Sequence, residues 1–384
     1  MIRNTPSPRI RVLHVIDSFD LGGAQTALLH LVRHRDSARF DVEVAAMHGR
    51  GVYWDRFAEL GVPVHSLSPR KWLPVYFLKL AALLLARRFD VVHCHLFGAN
   101  ILAKPLAALL GARVLINHDQ CNDRARIDSR ALFLADKITN RLSSHICAVS
   151  RSIRDFLVDH ERVPADRVSV VYNGVDIAGF TPGGGARDSA REKLGLPRGA
   201  FVVAGVGRLH PQKNFALFLD VATEALARSK ITLHFIIAGT GPEEAMLRER
   251  AKSLGIADRV TFAGFVADMR AIYMAADALL LTSLYEGLPL TVLEAMATGV
   301  PVIASRLDGI GEILGDGVDS RLAASGNRTE FVEALLEISA QPETARRLAA
   351  AARKKVEATF SAESMAREVE AIYDRCLDQT TRRV

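Results

Sequence analysis

Short apolar runs alternate with amphipathic segments of helix length along the whole chain of 384 residues. The runs in the first half are rich in Val and Ile and apolar on both faces, which is typical of strands buried in a parallel sheet. The segments between them, such as residues 24–32, place apolar residues on one helical face. This alternation predicts βαβ units and a doubly wound parallel sheet. The predicted strands of the first half are Ile10–Ile16, Asp41–Met47, Asp90–His95, Arg113–Asn117, His145–Val149 and Arg167–Tyr172.

A glycine-rich break at residues 179–189 separates this series from a second one. The run Gly183-Gly184-Gly185 gives the break the composition of a flexible connection. We therefore expect two domains, residues 1–180 and 200–360, with a linker over 181–199. Residues 361–384 are expected to form a C-terminal helix that packs back toward the N-terminal domain. The strands predicted for the second half are Phe201–Val206, Thr232–Ala238, Arg259–Phe262, Ala278–Thr282 and Pro301–Ala304, and the chain beyond about Thr329 is predicted to be helical and highly charged.

The charge is distributed unevenly between the halves. Residues 1–180 hold 24 Lys and Arg against 17 Asp and Glu, whereas the remainder holds 25 against 26. A basic first half suggests an anionic partner such as a phospholipid surface or a phosphorylated acceptor, although a solvated basic face explains the charge equally well. Nucleic acid is not expected as a partner, because no aromatic-basic recognition motif accompanies the charge.

Two features of composition bear on location. The four cysteines lack CxxC or ligand-like spacing, which predicts neither a disulfide framework nor a cysteine zinc site and fits a reducing compartment. No secretory signal is visible, and the apolar segment 72–86 carries Lys79 and is too short to span a bilayer. We expect a cytoplasmic protein, with peripheral contact at the inner face of the plasma membrane as an open alternative.

The segment that could make this contact begins at Arg70 and Lys71. Trp72, Tyr76 and Phe77 could lie at a lipid interface while the cations meet anionic headgroups. The competing interpretation is a crossover helix that packs against the first sheet, since its leucines and Phe77 recur at helical spacing. Those residues are Leu73, Phe77, Leu80 and Leu84.

Candidate chemistry in the second half follows the predicted strands, where open α/β sheets bind ligands. Arg208 and Lys213 come after a glycine turn, and two permanent cations near a helix start suit a diphosphate. A pair of surface cations is the alternative. Gly239 and Gly241 form a tight turn after the next strand, which is a weak signal because many such turns touch no ligand.

The strongest feature is the segment 282–305. Pro289 stands where a helix should begin and Gly299 just past its end. Glu286 then lies in the preceding loop, whereas Glu294 lies in the helix among apolar neighbours, which is costly without a partner. A ribose diol would be a suitable partner, and a solvated glutamate on the outer face is the alternative. Gly287 would let backbone amides approach a phosphate or sugar closely.

The run Glu286-Gly-Leu-Pro-Leu-Thr-Val-Leu-Glu294 resembles the E-x7-E motif of the retaining glycosyltransferases of family 4. Arg208 and Lys213 match the phosphate-binding pair of that family. Further motifs recur in the family's order, so the resemblance covers nearly the whole chain. It implies an α/β protein of the GT-B fold, with two Rossmann-like doubly wound parallel-sheet domains facing a central cleft, the first for the acceptor and the second for the nucleotide sugar. These motifs are Leu21-Gly-Gly-Ala, Asp90-Val-Val-His-Cys-His, Ala148-Val-Ser150 and Tyr172-Asn-Gly-Val-Asp176.

The resemblance also implies roles. Arg208 and Lys213 would neutralise the donor diphosphate and the charge that grows as it leaves. Glu294 would bind the nucleotide ribose, and Glu286 the transferred sugar. The donor is expected to be a UDP- or GDP-sugar, with no metal and no other cofactor. Other residues expected at the site are His118, beside the transferred sugar; Gly22 and Gly23, opening a helix that faces the cleft; Gly239 and Gly241; and the backbone of Gly287, Leu288 and Leu290.

Two details of the first half stand apart from the family pattern. Asn117 precedes His118 where many relatives carry a small residue or Thr, and the polar loop 119–126 that follows is a candidate for acceptor recognition. His93 and His95 lie on one face of a strand, but the sequence identifies no third metal ligand. We therefore prefer strand-end and cleft-lining roles for these two histidines.

These features together predict a glycosyltransferase that moves a hexose-type sugar to a glycan or lipid-linked acceptor with retention, in bacterial cell-surface polysaccharide biosynthesis. A nucleotide-sugar epimerase of the same architecture is the alternative. A dinucleotide-dependent oxidoreductase is disfavoured because no GxGxxG follows the first strand. A non-catalytic binding module is disfavoured because both cations and both glutamates are present together.

Overall fold

The computed structural model describes residues 9–69, 75–120, 129–181 and 186–382. The chain divides into two compact units. The first comprises Met1–Gly174 with Ala362–Val384, and the second comprises Val175–Ser361. The chain thus leaves the first unit at Gly174 and returns to it for the C-terminal helix Ala362–Thr381.

The first unit is built on a seven-stranded sheet in the order β3-β2-β1-β4-β5-β6-β7, in which every pairing is parallel. The chain order reverses between β1 and β4, which makes this a doubly wound sheet. Its central strands are buried on both faces, as their continuous apolar runs require. The strands are β1 Ile10–Ser18, β2 Phe40–His48, β3 Val64–Ser66, β4 Val91–His95, β5 Val114–Asp119, β6 His145–Ala148 and β7 Val168–Val170.

Helices cover both faces of this sheet and bury a separate apolar core on each. One core includes Val12 and Ile16 of β1 together with Val369 and Tyr373 of the C-terminal helix. The other lies beneath the helices Val75–Arg87 and Leu96–Leu109. The described helices of the unit are Gly23–Arg33, Tyr53–Ala58, Val75–Arg87, Leu96–Leu109, Arg130–Asn140, Arg151–Asp159 and Ala362–Thr381.

The second unit repeats the architecture with six parallel strands in the order β10-β9-β8-β11-β12-β13. Its order reverses between β8 and β11. The strands are β8 Phe201–Val206, β9 Leu233–Ala238, β10 Val260–Gly264, β11 Ala278–Leu281, β12 Val302–Arg306 and β13 Arg321–Ala324, and the helices are Ala186–Lys193, Phe215–Arg228, Glu244–Ser253, Arg270–Ala275, Leu290–Thr298, Asp308–Gly311, Arg328–Ala340 and Pro342–Thr359.

The two sheets confirm the predicted fold class and the eleven predicted strands, whose ends either coincide with the predicted ones or shift by at most two residues. The prediction missed β3 and β13. These strands are three and four residues long and lie at sheet edges, where the apolar run that marks a buried strand is shortest.

The linker prediction over 181–199 needs correction. Its Gly183–Gly185 portion lies outside the described residues, but Ala186–Lys193 is a helix of the second unit. Arg191 anchors this helix because its buried guanidinium donates to Asp277 Oδ2 at 2.6 Å and to the carbonyls of Ala200 and Ala275. The glycines of this segment favoured a linker, whereas the contacts of the buried arginine fix residues 186–193 as a helix.

The segment with membrane-like composition forms the helix Val75–Arg87. Leu80 and Leu84 are buried against the sheet, which supports the packing interpretation, whereas Phe77 is exposed. Tyr76 is buried as well, which disfavours the alternative that places it at a lipid interface. Arg70 to Trp72 and Leu73 lie outside the described residues. Within the described ranges, no helix is both long enough and apolar enough to cross a membrane.

Candidate active site

The candidate site of the second unit is assembled at the point where the strand order reverses. β8 and β11 are neighbours there, and the chain continues outward in opposite directions from each. Ligands of open α/β sheets bind outside the carboxyl ends of strands at such a point. Arg208 and Lys213 follow β8, whereas Glu286 and Glu294 follow β11. Arg208, Lys213 and Glu286 therefore belong to the two loops that flank the reversal, and Glu294 lies in the helix that follows the second loop.

The loop after β8 presents both cations. Arg208 is exposed, and its side chain makes no hydrogen bond or ion pair with any described residue. Lys213 ends a short 3-10 turn, Pro211–Lys213, and Asn214 follows in the left-handed region with φ 49°. The side chain of Asn214 then caps the helix Phe215–Arg228 by accepting from the Leu217 N–H. The cap explains why the chain turns sharply after Lys213.

An ion pair joins this loop to the loop after β11. Lys213 Nζ donates to Glu286 Oε1 at 2.6 Å, and the Ser283 hydroxyl donates to the same oxygen at 2.6 Å. Both charged side chains are largely buried. Thr282 reinforces the junction, because its hydroxyl lies 3.1 Å from the carbonyl oxygen of Lys213. These contacts hold the two loops together.

The helix Leu290–Thr298 follows Glu286 and begins and ends where the sequence predicted. Pro289 is its N-cap, and Gly299 closes it in the left-handed region with φ 75°. No side chain caps its first turn. Free N–H groups at a helix start favour anions, so this end suits a phosphate. Leu288 and Leu290 are buried.

Glu294 is buried inside this helix, so the alternative of a solvated glutamate is wrong. The hydroxyl of Tyr273, from the helix Arg270–Ala275, donates to Glu294 Oε2 at 2.7 Å. Burial raises the pKa of Glu294 to about 7, and the hydrogen bond from Tyr273 offsets part of that rise. The carboxyl group therefore titrates near neutral pH.

Gly239 and Gly241 allow two loops of the second unit to pack closely against each other. A Cβ on Gly239 would lie 1.9 Å from the carbonyl oxygen of Gly207, and one on Gly241 would lie 2.2 Å from that of Leu209. Backbone hydrogen bonds also link these turns, from Gly207 N to Ala238 O and from Leu209 N to Thr240 O. These glycines bring the loop after β9 against the loop that carries Arg208.

The same close approach occurs between Gly309 and the loop of Glu286. A Cβ on Gly309 would lie 1.8 Å from the carbonyl oxygen of Gly287. Gly309 and Tyr273 were not predicted from the sequence, because their contacts join separate segments of the chain. Ser283, in the same loop as Glu286, was not predicted either. The same is true of Thr291, whose buried hydroxyl has no hydrogen-bond partner in the described part of the chain.

In the first unit, Gly22 is the N-cap of the helix Gly23–Arg33, which confirms that the glycine pair opens a helix. His118 lies on β5 and is 2% exposed. Burial lowers the pKa of His118 to about 4, so the ring is neutral at physiological pH. Neither of its ring nitrogens has a hydrogen-bond partner among the described residues. Contact with a sugar would require the side chains that cover this ring to move.

Polar side chains close to His118 in the sequence are held by hydrogen bonds to other amide side chains. Gln120 Oε1 accepts a hydrogen bond of 3.1 Å from Asn173 Nδ2, and Asn117 donates to Asn140 Oδ1. Residues 121–128 of the candidate acceptor loop lie outside the described part of the chain.

Comparisons with known proteins bear on both units. Residues 186–355 match the family model "Glycosyl transferases group 1", and residues 21–178 match "Glycosyltransferase Family 4". A UDP-Gal:alpha-D-GlcNAc-diphosphoundecaprenol alpha-1,3-galactosyltransferase of Escherichia coli is 30% identical over 272 residues, which cover 68% of this chain and 69% of the relative. The chain belongs to glycosyltransferase family 4.

Another relative is similar over more of its length. The putative glycosyltransferase EpsF of Bacillus subtilis is 28% identical over 380 residues, which cover 91% of each chain. Among solved structures, Anabaena HepE in complex with UDP and glucose has a TM-score of 0.85 at 21% identity, covering 96% of this chain and all of that one. This likeness supports the GT-B fold. The chain is therefore a glycosyltransferase enzyme of that fold.

Proposed function

We propose that the enzyme transfers a hexose-type sugar from a UDP- or GDP-sugar to a glycan or lipid-linked acceptor, with retention of anomeric configuration. The observation that carries this proposal is the pairing of Lys213 with Glu286 across the two loops that flank the strand reversal. A diphosphate needs cations, a sugar needs hydrogen-bond acceptors, and these loops bring both together.

The donor would be held by groups of distinct character. Arg208 and Lys213 would bind the diphosphate together with N–H groups at the start of the helix Leu290–Thr298. Glu294 would accept hydrogen bonds from the ribose diol, while Glu286 would bind the sugar hydroxyls. Further proposed donor contacts are Gly22 and Gly23 at the first helix of the first unit, Gly239 and Gly241, the backbone from Gly287 through Leu288 to Leu290, and His118 beside the sugar.

The proposed transfer takes place on one face of the sugar. The bond between the anomeric carbon and the leaving phosphate oxygen breaks, and the acceptor oxygen bonds to that carbon on the same face. The acceptor proton passes to the departing phosphate. Arg208 and Lys213 would stabilise the charge that develops there, so the step requires no metal ion.

A double displacement through an enzyme carboxylate is the competing route. Glu286 is poorly suited to be the nucleophile, because its Oε1 already accepts from both Lys213 and Ser283. Two such donors lower the nucleophilicity of that oxygen and orient the group as a hydrogen-bonding partner for sugar hydroxyls. This arrangement supports the single-face route.

The acceptor proposal rests on a relative and on charge. The name of the Escherichia coli relative specifies a diphosphoundecaprenol-linked sugar as acceptor, and the first 180 residues of this chain are basic. An acceptor of this type is anionic and lies in a membrane. We therefore propose a role in bacterial cell-surface polysaccharide assembly, with the enzyme at the inner face of the plasma membrane and with no nucleic-acid partner.

The direct test is incubation with UDP- and GDP-sugars, with and without lipid-linked acceptors. Transfer that requires acceptor, with an anomeric configuration in the product equal to that of the donor by NMR, is the expected result. Conversion of the donor without acceptor would identify an epimerase instead. An inverted product would disprove the proposed step while leaving glycosyl transfer intact.

A further inference from the structure

Four histidines project from one face of the first sheet, on three adjacent central strands. His14 of β1 is in register with His93 of β4, and His95 of β4 is in register with His118 of β5. Side chains in register on neighbouring parallel strands lie on the same face, as do residues two apart on one strand. All four side chains are buried. The strand reversal of this sheet falls between His14 and the other three.

Three of these rings converge. His14 Nδ1 and His95 Nε2 are 2.9 Å apart, and the His93 and His95 rings stack with centroids 4.2 Å apart. One ring nitrogen from each of His14, His93 and His95 lies within 4.8 Å of the others. In a tetrahedral site with bonds of about 2.0–2.1 Å, ligand nitrogens are about 3.3 Å apart. Small side-chain adjustments would therefore bring the three nitrogens to that spacing.

His93 has the hydrogen bonding expected of a metal ligand. Its Nδ1 lies 2.6 Å from the hydroxyl of Tyr373, whereas its Nε2 is buried without a hydrogen-bond partner among the described residues. Metal-bound histidines typically donate their second ring N–H to an oxygen, which orients the ring and leaves the other nitrogen free to ligate. Buried polar atoms without a partner are rare, so this nitrogen calls for one.

We propose that His14, His93 and His95 form a binding site for a divalent transition-metal ion, with Zn²⁺ as the best candidate. An all-imidazole ligand set suits Zn²⁺, Cu²⁺ and Ni²⁺ and disfavours Mg²⁺ and Ca²⁺, which prefer oxygen. The ion connects β1 to β4 at the strand reversal and stabilises the first unit. Arg208 and Lys213, which are assigned to the diphosphate, belong to the second unit. It supplies the third ligand that the spacing of His93 and His95 left unidentified.

The test uses the full chain without an affinity tag, because a histidine tag would itself bind zinc. Protein expressed with added Zn²⁺, or refolded with it, should retain about one equivalent per chain after extensive dialysis. Refolding without metal should lower the unfolding midpoint by about 5 °C or more. Co²⁺ substituted at the site should give the visible absorption of imidazole-coordinated cobalt.

Variants locate the ion. His14→Ala and His95→Ala should abolish stoichiometric zinc retention, while Tyr373→Phe should fold and weaken zinc binding by about 10–100-fold. His145→Ala is the matched control, since it removes a buried histidine of the same sheet that pairs with Ser169 instead. Zinc content well below stoichiometry in wild-type protein, by both loading routes, would overturn the proposal. Full retention by both ligand variants would do the same, because the ion would then bind elsewhere.

Discussion

Lys213 Nζ donates a 2.6 Å hydrogen bond to Glu286 Oε1, although the two residues lie on loops after different strands. The cation proposed for the diphosphate is thereby paired with the carboxylate proposed for the sugar. Exposed ion pairs contribute about 0–1 kcal/mol, whereas breaking a buried pair leaves an uncompensated charge. Lys213 and Glu286 should therefore act as a unit, in structure and in catalysis.

Lys213→Ala should reduce kcat by about 100–1,000-fold, because it removes a cation from the leaving phosphate. Arg208→Ala should have an effect of similar size. Glu286→Gln should lower kcat more than it weakens nucleoside diphosphate binding. The combined Lys213→Ala/Glu286→Gln change should cost less than the sum of the separate effects, since the two residues share a hydrogen bond. Steady-state kinetics and calorimetry measure these quantities.

A matched control is the exposed pair Lys252–Glu249 of the same unit. Lys252→Ala removes a lysine from an ion pair far more accessible to water, and it should leave kcat unchanged. Near-normal turnover by Lys213→Ala would remove this lysine from the mechanism. Strict additivity in the double variant would show that the two residues act independently.

Much of the fold was predictable because its signals are local. β8 was predicted with both ends correct, since a continuous apolar run is what burial on both sheet faces requires. Pro289 and Gly299 marked the ends of their helix for equally local reasons. The features that could not be predicted from the sequence are contacts between segments that are far apart in the chain. Tyr273 beside Glu294 and His14 beside His95 depend on strand order and register, which spacing within one segment does not reveal.

Glu294 should make the second unit less stable as the pH rises. Its folded pKa of about 7 exceeds the unfolded value of about 4.3, so its stabilising contribution is complete below about pH 4.3 and is lost as the pH rises through 7. If the ribose hydroxyls donate to the carboxylate, binding favours the charged form and releases a proton. Nucleoside diphosphate affinity should then rise with pH, by up to about tenfold per unit, and level off above 7.

Calorimetry at about pH 6 and about pH 8, in buffers of different ionisation enthalpy, measures this proton release. The nucleotide phosphate also titrates in this range, so Glu294→Gln serves as the reference. Its affinity should change with pH only through the phosphate. An identical pH dependence in wild type and Glu294→Gln would separate Glu294 from the ribose.

Gly309→Ala should disturb the donor site through the close contact of Gly309 with the loop that carries Glu286. Its Cβ would lie 1.8 Å from the carbonyl oxygen of Gly287, so one backbone must move. We expect a loss of about 1–3 kcal/mol in the free energy of unfolding and weaker nucleoside diphosphate binding.

Gly311→Ala is the control for that variant, because it lies in the same short helix and its Cβ would meet nothing within 4 Å. It should leave both quantities nearly unchanged. Equal behaviour of the two variants would show that the approach of Gly309 to Gly287 does not support the donor site.

Contact with an anionic membrane should depend on the exposed face of the helix Val75–Arg87 and on Arg88, which follows it. Leu78 and Leu85 are 75% and 61% exposed, and Lys79 and Arg88 are exposed beside them. Each cation near an anionic bilayer contributes about 1 kcal/mol, so Lys79→Glu/Arg88→Glu should weaken vesicle binding by about thirtyfold or more. Lys230→Glu/Lys252→Glu changes the net charge equally in the second unit and should have little effect.

Cosedimentation with anionic liposomes measures vesicle binding by both variants, and binding should disappear at high salt because it is electrostatic. Salt-resistant binding that is lost in Leu78→Ser/Leu85→Ser would instead indicate insertion of the leucines. A protein that stays in the supernatant at low salt would contradict membrane contact altogether and would make a soluble acceptor the better hypothesis.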